Sequence, residues 1–145
     1  MKSRLDLICY DYSMKNDVHM EGLSLTVSDV KHSVEYYSHL GFVLELDAAP
    51  QFALLRIGGS NGGTIGLLSV DIAEKEGASK ISTSHAKGVH VELSTDNLDQ
   101  LYADLLAKGI VIDVPPHDEP WERSMTAYDP DGYSVEFSEG RRGKL

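Results

Sequence analysis

Part of this chain is written twice. The stretch GLSLTVSDVKHSVEYYSHLGFVLEL, from Gly22, slides onto HVELSTDNLDQLYADLLAKGIVIDV, from His90, at an offset of 68 residues without a gap. Leu23, Leu25 and Val27 fall on Val91, Leu93 and Thr95, and Leu40-Gly41-Phe42-Val43 falls on Lys108-Gly109-Ile110-Val111. A unit this short cannot bury a sheet face alone. Two like units that share one core are therefore the arrangement the sequence favours.

Each copy opens with a strand of alternating apolar and polar residues and continues into a helix. In the first copy Ser28 or Asp29 can cap the helix, and Val34, Tyr37 and Leu40 stand at helical spacing. In the second, Asp96 can cap, and Leu98, Leu101, Leu105 and Leu106 form the apolar stripe. Gly41 and Gly109 sit where a helix ends in a left-handed residue. Three strands are expected after each helix: near 42–48, 51–58 and 63–69, then near 110–114, 122–128 and 133–138. The fold class is thus α+β, with two βαβββ modules, at 20–70 and 88–140. A polar linker at 71–87 joins them, an extension of residues 1–19 precedes them, and a basic tail at 141–145 follows.

Helices outside and curved sheets around a shared groove would leave the alternate residues of the first strands lining that groove. Those are Gly22, Ser24 and Thr26 in one module and His90, Glu92 and Ser94 in the other. Phe52, Leu54 and Arg56 would share the groove face further on. Arg56 suits a ligand carboxylate or phosphate, or an ion pair with Glu45. The tyrosines of the helices, Tyr36, Tyr37 and Tyr102, read as packing residues.

The net charge of −10 argues against nucleic acid or an anionic membrane as partner. Cys9 is the single cysteine, so no intramolecular disulfide forms. No apolar run approaches the roughly 18 residues of a membrane span. A cytoplasmic location is the expectation. Phosphate-loop, dinucleotide and nucleophile-elbow signatures are absent from the sequence.

The segment DPDGYSVEF, residues 129–137, places a tight turn before a strand in which Val135 and Phe137 face a core and Glu136 faces away. Together with L-x-V-x-D at 25–29, EYYSHLGF at 35–42, DQLYADLLAKG at 99–109 and DEPW at 118–121, it resembles the vicinal oxygen chelate superfamily. That group includes glyoxalase I, bleomycin-resistance and fosfomycin-resistance proteins, and extradiol dioxygenases. The resemblance implies a cup-shaped mixed sheet, often completed in a homodimer, and a small-molecule ligand.

It also implies up to four metal-ligand positions, on the first and last strands of each module. Here His90 and Glu136 occupy the second pair, whereas Gly22 and, with less secure alignment, Gly66 occupy the first. Glycine donates no side chain, so the expected cofactor is either none, which the ligand count favours, or a divalent zinc, nickel, manganese or iron ion. Glu92, two residues from His90, could add a carboxylate. The leading expectation is a small-molecule binder of the bleomycin-resistance-like kind, sequestering a drug or metabolite. The alternative is a metal-dependent lyase, isomerase or dioxygenase in which Glu136 and Glu92 are catalytic. A third reading is an interaction module whose groove is filled by its own side chains. Phe52, Arg56, Trp121, Arg123 and Tyr128 are the ligand-binding candidates. Trp121 stands where the resemblance expects P-W-G, but Glu122 and Arg123 follow it directly.

Overall fold

A computed structural model describes residues 18–75 and 88–139 of the chain. All but the last two residues of the 1–19 extension, most of the linker and the basic tail lie outside those residues. The first module runs β1 (Gly22–Val27), α1 (Val30–His39), β2 (Val43–Ala48), β3 (Phe52–Ile57) and β4 (Gly63–Ser69). A short helix α2 (Val70–Lys75) follows, where the sequence suggested linker. The second module runs β5 (His90–Thr95), α3 (Leu98–Ala107), β6 (Val114–Asp118), β7 (Arg123–Tyr128) and β8 (Ser134–Glu139). This is the two-module α+β fold expected from the repeat.

Both sheets have one plan, β1-β4-β3-β2 and β5-β8-β7-β6. The first strand of each runs parallel to the last, and the remaining pairs are antiparallel. The odd-numbered residues of the inner strands pack beneath the helices. Leu25, Val27, Ala53, Leu55 and Leu67 do so in one sheet, and Met125, Ala127, Val135 and Phe137 in the other; all are buried. With Tyr37, Leu98 and Leu105 from the helices they form one cluster that draws on both modules. Strand alternation therefore divides a core-facing set from a groove-facing set.

The helix ends follow local chemistry. Asp29 caps α1, accepting from the His32 N–H at 3.1 Å. Asn97, not Asp96, caps α3, accepting from the Gln100 N–H at 3.1 Å. Asn97 is the residue next to Leu98, the first of the helix, and this places its amide oxygen over the free N–H groups. Gly41 and Gly109 close the two helices at φ +108° and +80°. Leu106 is 47% exposed and falls off the buried stripe.

β6 corrects the expected strand at 110–114. The strand begins at Val114 and runs through Pro115 and Pro116 to Asp118, with partners on β7 at Val114, His117 and Asp118. Two prolines are tolerated because β6 is an edge strand and its register with β7 is broken between Val114 and His117.

The modules are pinned together by the turn that precedes β8. The buried Asp129 accepts from the Tyr37 hydroxyl of α1 at 2.6 Å and from its own turn's Asp131 and Tyr133 N–H groups at 2.9 Å. Asp131 accepts from the Ser28 N–H at 2.9 Å, and the Tyr133 hydroxyl donates to the Thr26 carbonyl at 3.0 Å.

Candidate functional site

The groove-facing residues form rows across the sheets. In the first module the rows are Gly22–Thr64–Arg56, Ser24–Gly66–Leu54 and Thr26–Leu68–Phe52. In the second they are His90–Ser134–Tyr128, Glu92–Glu136–Thr126 and Ser94–Ser138–Ser124. Ser24–Gly66 thus holds the place in one sheet that Glu92–Glu136 holds in the other.

The first module has no room for ligand side chains at the two glycines. A Cβ on Gly22 would collide with the carbonyl and hydroxyl oxygens of Thr64. A Cβ on Gly66 would stand 2.7 Å from the Ser24 hydroxyl and 3.0 Å from the Phe52 ring. The Thr64 hydroxyl donates to the Glu21 carbonyl, which fixes it in that position. Among the described residues, no group of three or more His, Cys, Asp or Glu is placed to hold a metal ion. A metal held by side chains of both modules does not fit these residues.

The second module keeps ionisable groups. His90 and Glu92 are exposed on β5, and Glu136 is half-buried on β8. Burial raises the Glu136 pKa above the usual carboxylate range, and hydrogen bonding to Glu122 and the charges of Glu122 and Glu92 raise it further. His90 acts in the opposite sense. Two carboxyl groups that share a hydrogen bond favour holding one proton between them. Glu122 was not singled out as a site residue from the sequence. The signal was its position just after Trp121, where the resemblance expects glycine, on the same alternation as Ser124 and Thr126.

A cavity of about 700 Å³ opens on the groove face of the first sheet. Phe52, Leu54, Arg56, Ser24 and Thr64 are among its walls. Phe52 and Arg56 thus lie together there. The Arg56 guanidinium is already engaged: it pairs with Glu45, with Nη2–Oε2 at 3.2 Å, and Nη1 donates to the Gly62 carbonyl at 2.8 Å. That pair lowers the Glu45 pKa through the hydrogen bond from Arg56.

Trp121, Arg123 and Tyr128 do not line this cavity. Trp121 is 55% exposed in the turn between β6 and β7. Tyr128 belongs to the groove-facing row of His90, at the far side of its sheet. Arg123 is a correction. It shares the alternation of Met125 and Ala127 and so projects to the helix side, where it pairs with Asp99 of α3 at 3.0 Å and with Asp118 at 3.1 Å. The two-residue period of β7 separates it from the face of Glu136.

No helix among the described residues is long and apolar enough to cross a membrane. No curated protein matches the chain. Its fold is similar to that of several solved structures. A hypothetical protein from S. aureus is 19% identical, with TM-score 0.70 over 86% of this chain and 95% of that one. A glyoxalase/bleomycin resistance protein/dioxygenase from Nocardioides is 22% identical, with TM-score 0.69 over 92% and 88%. A lactoylglutathione lyase from Agrobacterium tumefaciens is 19% identical, with TM-score 0.68 over 88% and 97%. At these identities the likeness establishes the fold alone. The sequence itself matches a family over residues 18–137, which takes in both modules and the rows of the groove. The chain belongs to the Glyoxalase/Bleomycin resistance protein/Dioxygenase superfamily.

Proposed function

We propose that this protein binds a small organic molecule in the groove of its first sheet and acts by sequestering a drug or metabolite rather than by metal chemistry. The cavity of about 700 Å³ beside the half-buried Phe52 and Leu54 carries this reading. Pockets of this size suit drug-sized ligands. Phe52 and Leu54 offer an apolar surface within a wall that is otherwise polar, Ser24, Ser60, Asn61 and Thr64 included, so the ligand combines an apolar part with neutral or cationic polar groups. Arg56 is spent on Glu45, and the net charge of −10 disfavours anions. A screen of such compounds by thermal shift and NMR tests it, with Leu54→Trp filling the cavity. Binding that Leu54→Trp abolishes supports the reading. An absence of binders, or binders indifferent to that substitution, ends it.

The family habit and the exposed edge strand β2, with Val43 66% and Leu46 51% exposed, support a homodimer. Sedimentation that gives a monomer at micromolar concentration would remove that part.

One observation favours a second reading, a lyase or isomerase. The Glu136 carboxyl, which holds its proton more firmly than an ordinary carboxylate, is suited to move a proton at a carbon next to a carbonyl. Glu92 would assist from the neighbouring strand. The check is deuterium uptake from heavy water into an α-hydroxy ketone probe, followed by NMR. Uptake unchanged in Glu136→Gln would sink this reading.

A further inference from the structure

A second cavity, of about 570 Å³, lies where β1 and β5 line one cleft. Among the described residues each strand has a hydrogen-bonded neighbour on one side alone, β4 for β1 and β8 for β5. The cleft walls are apolar: Leu23, Leu25, Phe42 and Ile57 from one module, Val91 and Leu93 from the other. Leu25, Phe42 and Val91 belong to the core, so the cleft reaches inward, whereas Leu23 is 50% exposed on its wall. The rim carries two carboxylates, Glu21 and Glu92, and the imidazole of His90. Glu21 and Glu92 both line the cleft, are exposed, and take part in none of the ion pairs among the described residues.

We propose that this cleft, which adjoins the groove of the first sheet at Glu21, Gly22 and Thr64 but has its own apolar wall, is a binding site for a linear amphiphile with an aliphatic chain and one positive charge. An alkylammonium ion meets each requirement. Its chain replaces water against Leu23, Leu25, Phe42 and Leu93, and its ammonium donates to the carboxylates of Glu21 and Glu92 at the rim. A neutral chain would leave the two carboxylates with His90 alone beside them, and a fatty acid would bring a third negative charge to the same rim. The site takes most of its wall from the first module and the rest from β5 of the second, so it exists only where the two are packed together.

The test is titration of the intact protein with n-octylammonium, below its micelle concentration, by calorimetry and amide NMR. Butyl- and hexylammonium complete a chain series. Affinity should rise roughly four-fold per methylene, and octanoate should bind at least about ten-fold more weakly. Leu23→Trp, at an exposed position, fills the cleft and should abolish binding. Glu92→Gln should weaken it several-fold, and provides a second reading should the tryptophan variant misfold. Leu54→Trp, in the other cavity, should leave octylammonium binding unchanged, so failure of the groove reading and failure of this one are distinguishable. Equal binding of octanoate, or binding that survives both Leu23→Trp and Glu92→Gln, overturns the proposal.

Discussion

The Tyr37 hydroxyl, on the helix of one module, donates to the Asp129 carboxylate, in the last turn of the other, at 2.6 Å. Burial raises the pKa of both groups, and the bond to the carboxylate adds to the rise of the tyrosine. A buried carboxylate needs all of its donors. Tyr37→Phe removes one of three and should cost about 1–3 kcal/mol, read by urea denaturation. A variant as stable as the parent would mean that this bond adds nothing to the hold between the modules.

Glycine at 22 is required by Thr64. Gly22→Ala should destabilise the fold by about 1–3 kcal/mol, the range for forcing extra atoms into packed space. Removing only the side chain of Thr64 should recover part of that loss, because the Thr64 carbonyl still stands in the way. Thermal denaturation of the single and double variants gives the comparison.

The helix caps give a local contrast. Asn97→Ala should cost about 0.5–2 kcal/mol, while Asp96→Ala, one residue away, should change stability little. Equal losses at both positions would place the cap at the wrong residue.

Folding raises the Glu136 pKa. Its contribution to stability is therefore whole below the ordinary carboxylate range and is lost as pH rises through the raised value. Parent protein should lose more stability than Glu136→Gln as pH rises from below the ordinary carboxylate range toward neutrality, by a small margin, since the site is partly hydrated. Glu122→Gln should move the Glu136 titration to lower pH in a carboxyl carbon NMR titration. An unmoved titration would mean that Glu122 does not share its proton.

Much of this architecture could be read in the residues. The offset of 68 residues placed both modules, and the alternation through Leu23, Leu25 and Val27 assigned groove and core faces before any coordinates. The errors have physical causes. Pro115 and Pro116 read as loop because a proline cannot donate to a sheet ladder, yet an edge strand with a broken register does not require that bond. Arg123 stands as a ligand candidate in the segment after Trp121, but strand parity turns it toward α3. Glu122 was passed over because its reach to Glu136 depends on how the turn at 119–122 folds back, which no local pattern encodes.

The fit of Phe52 and Ser24 over Gly66 also limits how this chain can change. A side chain at 66 meets the Ser24 hydroxyl and the Phe52 ring unless both give way, and a smaller residue at 52 alone opens a void above a bare backbone. Each single step is unfavourable, and only coordinated changes open a path. Position 22 is held in the same way by Thr64. The two halves of the repeat are therefore no longer interchangeable. The first has settled into a wall and the second into a bearer of ionisable groups, and chance point substitutions would be slow to exchange those parts.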